Sequence, residues 1–179
     1  FLHCLAVNRT QGFKMGRIRA LAGVISLSAG LLFTTANLAV AAQPAPELVL
    51  NLTGQQVNLS DYQGQVIYLD FWASWCKPCQ RSFPWMNEMQ AKYGEQGFTV
   101  IAINLDSERK LADEFLARLP AHFPVAFDPD GNSAQTYKLK GMPTSYLIDK
   151  AGNLRVAHQG FHVEKQARYE QEIKGLLAE

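Results

Sequence analysis

Cysteine is scarce in this chain, which limits the disulfides and metal sites that it can form. Its 179 residues include only three cysteines, Cys4, Cys76 and Cys79. A closed structural zinc site takes four ligands, and no second pair of cysteines or histidines lies at zinc-finger spacing. The sequence therefore predicts no metal site. The histidines of the predicted domain stand singly in predicted loops and at strand ends, where we interpret them as solvated or packing side chains: His122, His158 and His162.

The chain also lacks an excess of charge of either sign. It has 17 Lys and Arg against 16 Asp and Glu, a net charge of +1. Four of the basic residues lie within the first twenty positions, which leaves 13 basic against 16 acidic residues, or −3, from Gln43 onward. A surface without a basic excess does not attract a phosphate backbone. Nucleic acid is therefore not an expected partner.

A targeting segment is predicted ahead of the domain. Residues 15–19 form a short basic opening, residues 20–40 are mostly apolar, and residues 39–42 place small side chains at the positions that signal peptidase reads. We interpret residues 15–42 as a signal peptide that directs the protein to the periplasm and is cleaved at its end. The alternative is an uncleaved membrane anchor, since the apolar stretch is long enough to span a bilayer.

That segment divides the rest of the chain. Residues 1–14 precede the first methionine and are interpreted as an upstream extension without function, together with the cysteine they contain. Residues 43–47 are predicted to be a stiff linker, and residues 48–179 one domain of sufficient length to bury a core. Cys76 and Cys79 are then the only cysteines of the exported part, an even number with no other residue to pair with.

These two cysteines are predicted to lie where a strand passes into a helix. Residues 66–72 are rich in branched and aromatic side chains, as in a buried strand, and the segment from Pro78 to Tyr93 has the pattern of a helix with proline in its first turn. The free N–H groups of that turn favour negative charge. They lower a thiol pKa from about 8.5 to roughly 3.5–7.5. We therefore interpret Cys76 as the exposed, attacking sulfur and Cys79 as the recessed one.

The residue after Cys76 and the short spacing of the two cysteines both favour a redox role. Lys77 adds a positive charge beside Cys76 and favours its thiolate. A purely structural disulfide between cysteines so close in sequence would close a very short loop and stabilise the fold little. A redox-active pair is therefore the favoured interpretation.

The remaining chain predicts an α/β fold. Strands alternate with helices and then give way to an antiparallel hairpin, which is typical of a central mixed sheet flanked by helices. We expect Ser107 to cap one helix, and Leu111, Phe115 and Leu119 to form its buried face. The predicted strands are 48–52, 56–59, 66–72, 97–104, 123–127, 144–149 and 154–160, and the predicted helices are 78–93, 108–119, 133–137 and 163–177.

Two motifs in this order resemble those of the thioredoxin superfamily. The first is Asp70-Phe71-Trp72-Ala73-Ser74-Trp75-Cys76-Lys77-Pro78-Cys79, and the second is Gly141-Met142-Pro143-Thr144 before a late strand. The export signal, the N-terminal β-hairpin, and the helix and strand inserted between Asp106 and Phe127 make the chain similar to the TlpA-like (ResA/DsbE-like) periplasmic thiol-disulfide oxidoreductases. The resemblance extends over residues 48–177 and implies a thioredoxin-like fold.

The resemblance also implies a role for each motif residue. Cys76 matches the family's nucleophile and Cys79 its resolving thiol, which together form the redox disulfide. Pro143 matches the cis-proline that lies against the cysteine pair; the alternative is a proline that only turns the chain. Proline has no N–H, so the backbone of Met142 would be open to an extended substrate segment. The residues implied in substrate binding are Trp75, Lys77, Pro78, Met142, Pro143 and Gly160.

Asp70 is an acidic residue inside an otherwise apolar strand. Burying a charge is costly unless it is paired or protonated, so we expect burial to raise the pKa of this carboxyl group toward neutral pH. In thioredoxins the matching acid accepts or returns the proton of the recessed cysteine, whereas several TlpA-like proteins place a glutamate near the motif. The alternative is a strand-end aspartate that reaches water or a backbone N–H.

These features together predict an exported reductase of protein disulfides. The Cys76 thiolate attacks a target disulfide, and Cys79, deprotonated with help from Asp70, releases the reduced target. A membrane-embedded thiol relay would return electrons to the pair, and no cofactor is expected. The expected partners are proteins with disulfides or thiols, among them apocytochromes, oxidised envelope proteins and copper-centre cysteines. The domain is expected to be a monomer.

Three other functions fit part of the same pattern. A disulfide oxidase would use the same atoms and differ only in reduction potential. A copper(I) carrier would use the two soft sulfurs as ligands, but no cluster of Met or His lies beside them in the sequence. A thiol peroxidase needs a single peroxidatic cysteine in its own polar pocket, whereas Cys76 lies in an exchange motif.

Overall fold

The computed structural model describes residues 43–179, and the predicted extension (1–14) and signal segment (15–42) lie outside these residues. The strands are β1 (Gln43–Pro44), β2 (Val49–Leu52), β3 (Gln55–Asn58), β4 (Val66–Trp72), β5 (Phe98–Asn104), β6 (Val125–Phe127), β7 (Thr144–Ile148) and β8 (Asn153–Gln159). The helices are α1 (Lys77–Tyr93), α2 (Arg109–Arg118), α3 (Asn132–Thr136) and α4 (Gln166–Leu177). None of the helices in this range is both long and apolar enough to cross a membrane.

One mixed sheet contains every strand in this range, in the order β1-β8-β7-β4-β5-β6-β2-β3. β4 lies at its centre, parallel to β5 and antiparallel to β7. β2 and β3 form the N-terminal hairpin, and α2 with β6 forms the inserted unit. The predicted mixed α/β fold, with its hairpin and its inserted helix and strand, is confirmed.

β4 and β5 are buried along their whole length because the sheet is covered on both faces. On one face Tyr68 and Trp72 of β4 pack in a cluster with residues of α1, α2 and α4. On the other face Ile67, Leu69 and Phe71 pack in a second cluster. The continuous apolar sequence of β4 is typical of strands in this setting, since both sets of alternating side chains enter a core.

The segment 43–47, predicted to be a linker, has a place in the sheet. Gln43 and Pro44 pair with Leu154 and Asn153 of β8, and the N–H of Ala45 donates to the carbonyl oxygen of Gly152 at 2.9 Å. Proline is accepted at this position because β1 is an edge strand, where no further ladder bond is required of it.

A register shift interrupts the pairing of β7 with β8. Leu147 pairs with Val156 while the next residue, Ile148, pairs with Leu154, so Arg155 is an extra residue on β8. This is the arrangement of a β-bulge, which bends the strand and lets one residue leave the alternation. The Arg155 side chain contacts the carboxylate of Asp149 at 3.2 Å.

The start of α2 differs from the prediction. Its N-cap is Glu108 without a side-chain capping bond, so the prediction that Ser107 caps the helix is wrong. Leu111 is 39% exposed, whereas Ala112 and Phe115 are buried. The buried face is therefore centred on Phe115, whose ring lies 4.7 Å from that of Trp72. Spacing alone predicts that Leu111 is buried, whereas tertiary packing places the smaller Ala112 in the core instead.

We expect Phe115→Ala to lower the free energy of unfolding by about 3–5 kcal/mol, because it removes an aromatic ring from the core and leaves a cavity. Leu111→Ala on the same helix is the matched control, and its change should stay within about 0.5 kcal/mol because the side chain is exposed. Denaturant unfolding with the disulfide oxidised measures both. Equal losses in the two variants would contradict this packing of α2.

Candidate active site

The two cysteines lie at the start of α1 and are joined by a disulfide, with 5.3 Å between their Cα atoms. Cys76 is the N-cap residue, and its sulfur accepts a hydrogen bond from the N–H of Cys79 at 3.3 Å. Pro78 occupies the first turn, where its missing N–H costs no helical hydrogen bond. The sulfur of Cys76 therefore lies at the positive end of the helix, which favours its thiolate once the disulfide is reduced.

The exposure of the sulfurs corrects one expectation. Cys76 is only 4% exposed and Cys79 is fully buried. Cys79 is therefore the more recessed residue, but Cys76 is not exposed in this oxidised form. The reason is that its side chain turns toward the helix, where it bonds to Cys79 and caps the backbone. The indole of Trp75 is 68% exposed and lies next to Cys76 in the chain.

A hydrogen-bond network that the sequence did not predict holds the turn before the cysteines. The N–H and the hydroxyl of Ser74 both donate to the carboxylate of Asp106 at 2.9 Å. Asn104, the last residue of β5, donates to the same carboxylate at 2.7 Å. Because β4 and β5 are parallel, their carboxyl ends meet at one sheet edge. The polar residues at the end of β5 and just after it are the sequence signal that could have indicated this network.

The Met142–Pro143 segment lies at the same end of the sheet as the cysteines. Thr144 pairs with Phe71 of β4, so the residues before Thr144 stand beside the turn that leads to Cys76. The peptide bond between Met142 and Pro143 is cis. Met142 is half-buried and packs against the core cluster that includes both cysteines, while Pro143 is buried.

Gly160 is tied to this segment by its backbone. Its N–H donates to the carbonyl oxygen of Pro143 at 2.8 Å, and its φ of +77° is one that glycine adopts without steric cost. Lys77 is exposed and Pro78 half-buried on the first turn of α1. The predicted substrate-binding residues thus lie in two places. Trp75, Lys77 and Pro78 lie in and just before the first turn of α1, and the others lie at the neighbouring ends of β7 and β8.

Asp70 lies two positions from both Tyr68 and Trp72, and every second residue of a strand points to the same face. It therefore lies on the face of β4 that α1 covers. It is 1% exposed, which argues against the part of the alternative interpretation in which it reaches water. Within residues 43–179 its Oδ2 has no hydrogen-bond partner. Burial raises the pKa of this carboxyl group well above its ordinary value. The cysteines belong to the core cluster on the same face.

His158 is a packing side chain, one of the two interpretations given for it, and not a solvated one. It is 9% exposed, its ring lies 4.4 Å from that of Tyr169, and its Nε2 lies 2.7 Å from Oε2 of Glu172. It is therefore a packing residue that also has an acidic partner. In the part of the chain from 43 to 179, no three or more His, Cys, Asp or Glu side chains are grouped as metal ligands would be.

Comparisons with known proteins find relatives over most of the chain. Residues 40–173 match the family described as Redoxin. The thiol-disulfide oxidoreductase ResA of Bacillus thuringiensis subsp. konkukian is 37% identical over 123 residues, 68% of this chain and 71% of that protein. ResA of Geobacillus kaustophilus is 36% identical over 124 residues, 69% of this chain and 71% of that protein.

Solved structures give the same result. A crystal structure from Chlorobium tepidum, described as thiol:disulfide interchange protein DsbE, is 51% identical, with a TM-score of 0.74 over 76% of this chain and 96% of that one. A solution structure from Bacteroides thetaiotaomicron, described as a protein disulfide isomerase, is 27% identical, with a TM-score of 0.71 over 77% of this chain and 90% of that one.

We expect Asp70→Asn to be more stable than the parent at about pH 8, and the gain to vanish below about pH 4. The folded state, with its raised carboxyl pKa, holds the proton more tightly than the unfolded state. Ionisation therefore costs stability as pH rises from the unfolded pKa of about 3.9, by about 1.4 kcal/mol for each unit that separates the two pKa values. Denaturant unfolding of the oxidised protein across pH measures this.

Asp149→Asn is the matched control with the opposite sign. Burial raises the pKa of Asp149, but hydrogen bonds from Asn153, Arg155 and Ala151 outweigh burial and lower it. Its carboxylate therefore stabilises the fold above the unfolded pKa, and that stability is lost as pH falls through the folded pKa. The control should be less stable than the parent at neutral pH. A gain for Asp70→Asn that does not change with pH would contradict a buried, destabilised carboxylate.

Proposed function

The chain belongs to the Redoxin family, as a TlpA/ResA/DsbE-like thiol-disulfide oxidoreductase of the thioredoxin superfamily, and from this we propose that it reduces disulfides in exported proteins. Its substrates are proteins that carry thiols or disulfides. The observation that carries the proposed direction is Asp70, a buried carboxyl group on the same face of the sheet as the two cysteines. A negative charge there disfavours thiolates, and a strong oxidant needs a stabilised reduced form.

The proposed reaction has two exchange steps. The Cys76 thiolate attacks one sulfur of the target disulfide, forms a mixed disulfide and releases the other target sulfur as a thiolate. Asp70 then takes the proton of the Cys79 thiol, whose sulfur attacks Cys76 and releases the second target thiolate. The products are a reduced target, a protonated Asp70 and the Cys76–Cys79 disulfide that the structure contains. Two electrons pass from the protein to the target.

Substrate would bind along the surface beside the disulfide. The exposed indole of Trp75 offers an apolar face, and the half-buried Met142 offers a backbone that precedes a residue without an N–H. An extended target segment can pair with such a backbone. Gly160, Lys77, Pro78 and the buried Pro143 complete the proposed contact surface around these two residues.

Export and recharging are part of the proposal. The basic and apolar pattern of residues 15–42 supports secretion through a signal peptide into the periplasm. An exported reductase uses up its thiols with each target, so a membrane-embedded thiol relay would reduce the Cys76–Cys79 disulfide again. We propose that the domain acts as a monomer.

A disulfide oxidase is the second candidate, and one observation favours it. Cys76 caps α1, and Lys77 follows it, so both the helix terminus and a positive charge favour the Cys76 thiolate. Stabilising the reduced form in this way makes a disulfide more oxidising. The reductase is preferred because burial of Asp70 acts in the opposite sense on the same face of the sheet.

We expect the reduced protein to reduce insulin, Cys76→Ser to abolish the activity, and Cys79→Ala to accumulate a mixed disulfide with the target because no second thiol can resolve it. The reduction potential, measured by equilibration with dithiothreitol or glutathione, should lie near the −270 mV of thioredoxin, about 150 mV below that of a strong oxidant at roughly −120 mV. A value near the latter, with no insulin reduction, would replace the reductase by the oxidase.

The proposed role of Trp75 in binding protein substrates can be tested separately. Trp75→Ala should raise KM for a protein disulfide about tenfold, in the range of an aromatic contact residue worth more than about 1 kcal/mol. Reaction with a small disulfide such as oxidised glutathione should change little, because it does not extend along the surface. Val163→Ala, at another exposed apolar residue, is the control. Equal losses on both substrates would place Trp75 in the chemistry of the disulfide instead.

A further inference from the structure

Three buried polar residues form one line across three neighbouring strands. Asp70 of β4 pairs with Ser145 of β7, and Ser145 pairs with His158 of β8. Their exposures are 1%, 4% and 9%. Directly opposed residues of antiparallel strands point to the same face, with about 4.5–5.5 Å between their Cβ atoms. Ser145 therefore stands between the acid and the imidazole.

A second hydroxyl joins Ser145 in the middle of this line. The Oγ of Ser145 donates to the phenolic oxygen of Tyr68 at 2.7 Å, and Tyr68 is almost fully buried on the same face as Asp70. The pKa of Tyr68 is raised well above its ordinary value by burial, and further by the nearby charges of Asp70 and Glu172. The phenol therefore keeps its proton, and its pKa is affected by an acidic residue on each side.

The outer end of the line reaches solvent through α4. Oε2 of Glu172 lies 2.7 Å from Nε2 of His158, and its other oxygen accepts from Nε of Arg168 at 2.9 Å. The Glu172 side chain is 18% exposed and that of Arg168 is 72% exposed. A carboxylate accepts, so Nε2 of His158 carries the proton and Nδ1 is the bare, accepting nitrogen.

Both ends of the line contain an unsatisfied atom. Among residues 43–179, Oδ2 of Asp70 and Nδ1 of His158 are buried without a hydrogen-bond partner. Buried polar atoms are rarely left so, and each exception calls for an explanation. A protonated Asp70 is a donor and Nδ1 of His158 is an acceptor, with two hydroxyls between them that both donate and accept.

The groups beyond β7 on this face of the sheet include apolar and redox-active residues. On β5 the partner of Asp70 is Ala102. On α1 the cluster residues of this face include Cys79, which is fully buried, and Trp85, whose ring lies 5.3 Å from that of Tyr68. On α1 the hydroxyl of Ser82 donates to the carbonyl oxygen of Cys79, whereas the side toward β7 has polar groups that continue toward α4.

We propose that Asp70 exchanges its proton with solvent along this polar row, defined as Asp70, Ser145, Tyr68, His158 and Glu172. The inference rests on the proposed role of Asp70 as the acceptor of the Cys79 proton. Two links of the row are hydrogen-bonded, Ser145 to Tyr68 and His158 to Glu172, and side-chain movement must bring Asp70 and Nδ1 of His158 to the hydroxyl pair. In one passage Asp70 then gives a proton to the hydroxyl pair, the pair gives one to Nδ1 of His158, and His158 gives its Nε2 proton to Glu172, which releases it to water. Rotation of the hydroxyls and return of the imidazole to its first tautomer restore the row.

Charged and titratable groups face the row from each element around it. On the inner side these are Asp70 and Tyr68 of β4 and Cys79 of α1. At His158 they are Lys165, Arg168, Tyr169 and Glu172, in α4 and the turn before it. Burial lowers the pKa of His158, while Glu172 raises it and Arg168 and Lys165 lower it, with a net lowering that keeps the imidazole neutral and accepting near pH 7.

A proton-release experiment on the full chain tests the row. The reduced protein is mixed at low pH with a thionitrobenzoate disulfide, which leaves Cys76 as a mixed disulfide while Asp70 stays protonated. A second mixing step raises the pH, and absorbance follows release of thionitrobenzoate by Cys79. Release then requires Asp70 to lose its proton first.

Interrupting the row should slow release after the pH jump. We expect Ser145→Ala and Tyr68→Phe each to slow it about tenfold, less than the roughly 10²- to 10⁴-fold of a directly acting proton-transfer group, because opening motions leave a slower exit. Ser145→Thr, which keeps a hydroxyl, should retain the parental rate. Tyr137→Phe is the matched control, since it loses a buried hydroxyl bonded to Pro46 on the other face of the sheet.

The same changes in an Asp70→Asn background separate a proton route from a packing effect. We expect no further slowing there, because the amide that replaces the carboxyl group has no acidic proton to release. Equal slowing in both backgrounds, or parental release in Ser145→Ala and Tyr68→Phe, would overturn the row. If Ser145→Ala does not fold, the comparison of Tyr68→Phe with Tyr137→Phe decides in the same way. Parental release by Asp70→Asn alone would instead remove Asp70 from the proposed function.

Discussion

The parallel pairing of β4 with β5 is the constraint on which the rest of the site depends. The two strands pair residue for residue from Val66 with Phe98 to Trp72 with Asn104, so both end at one sheet edge. This places the carboxylate of Asp106 where it can hold the turn at Ser74. This turn determines where α1 begins. It therefore also places the sulfurs at the positive end of the helix.

The central part of this arrangement could be predicted because its signals are local. A continuous apolar run identified β4 to the residue, and the proline after Cys76 identified the first turn of α1. The burial of Asp70 followed from its position within that run. The buried face of α2 could not be predicted fully, because spacing does not say which residue of an apolar face meets the core, and Ala112 does so instead of Leu111.

Long-range partners could not be predicted from local signals. The carboxylate of Asp106 accepts a hydrogen bond from Ser74, 32 positions away in the chain. His158 of β8 contacts Glu172 of α4. Nothing in the sequence around His158 distinguishes it from a solvated residue; only the register of three strands aligns it with Ser145 and Asp70. A polar line across a sheet is a property of strand pairing, and strand pairing is the step that periodicity leaves undetermined.

The bulge at Arg155 has a consequence for how the chain can vary in length. Alternation along β8 beyond the bulge is set by pairing with β7, from Val156 to Gln159, and not by the hairpin turn that precedes it. A bulge absorbs one residue without reversing the faces of the strand on its far side. A change in the length of that turn can therefore leave His158 facing the core and the hydrogen bond from Gly160 to Pro143 intact.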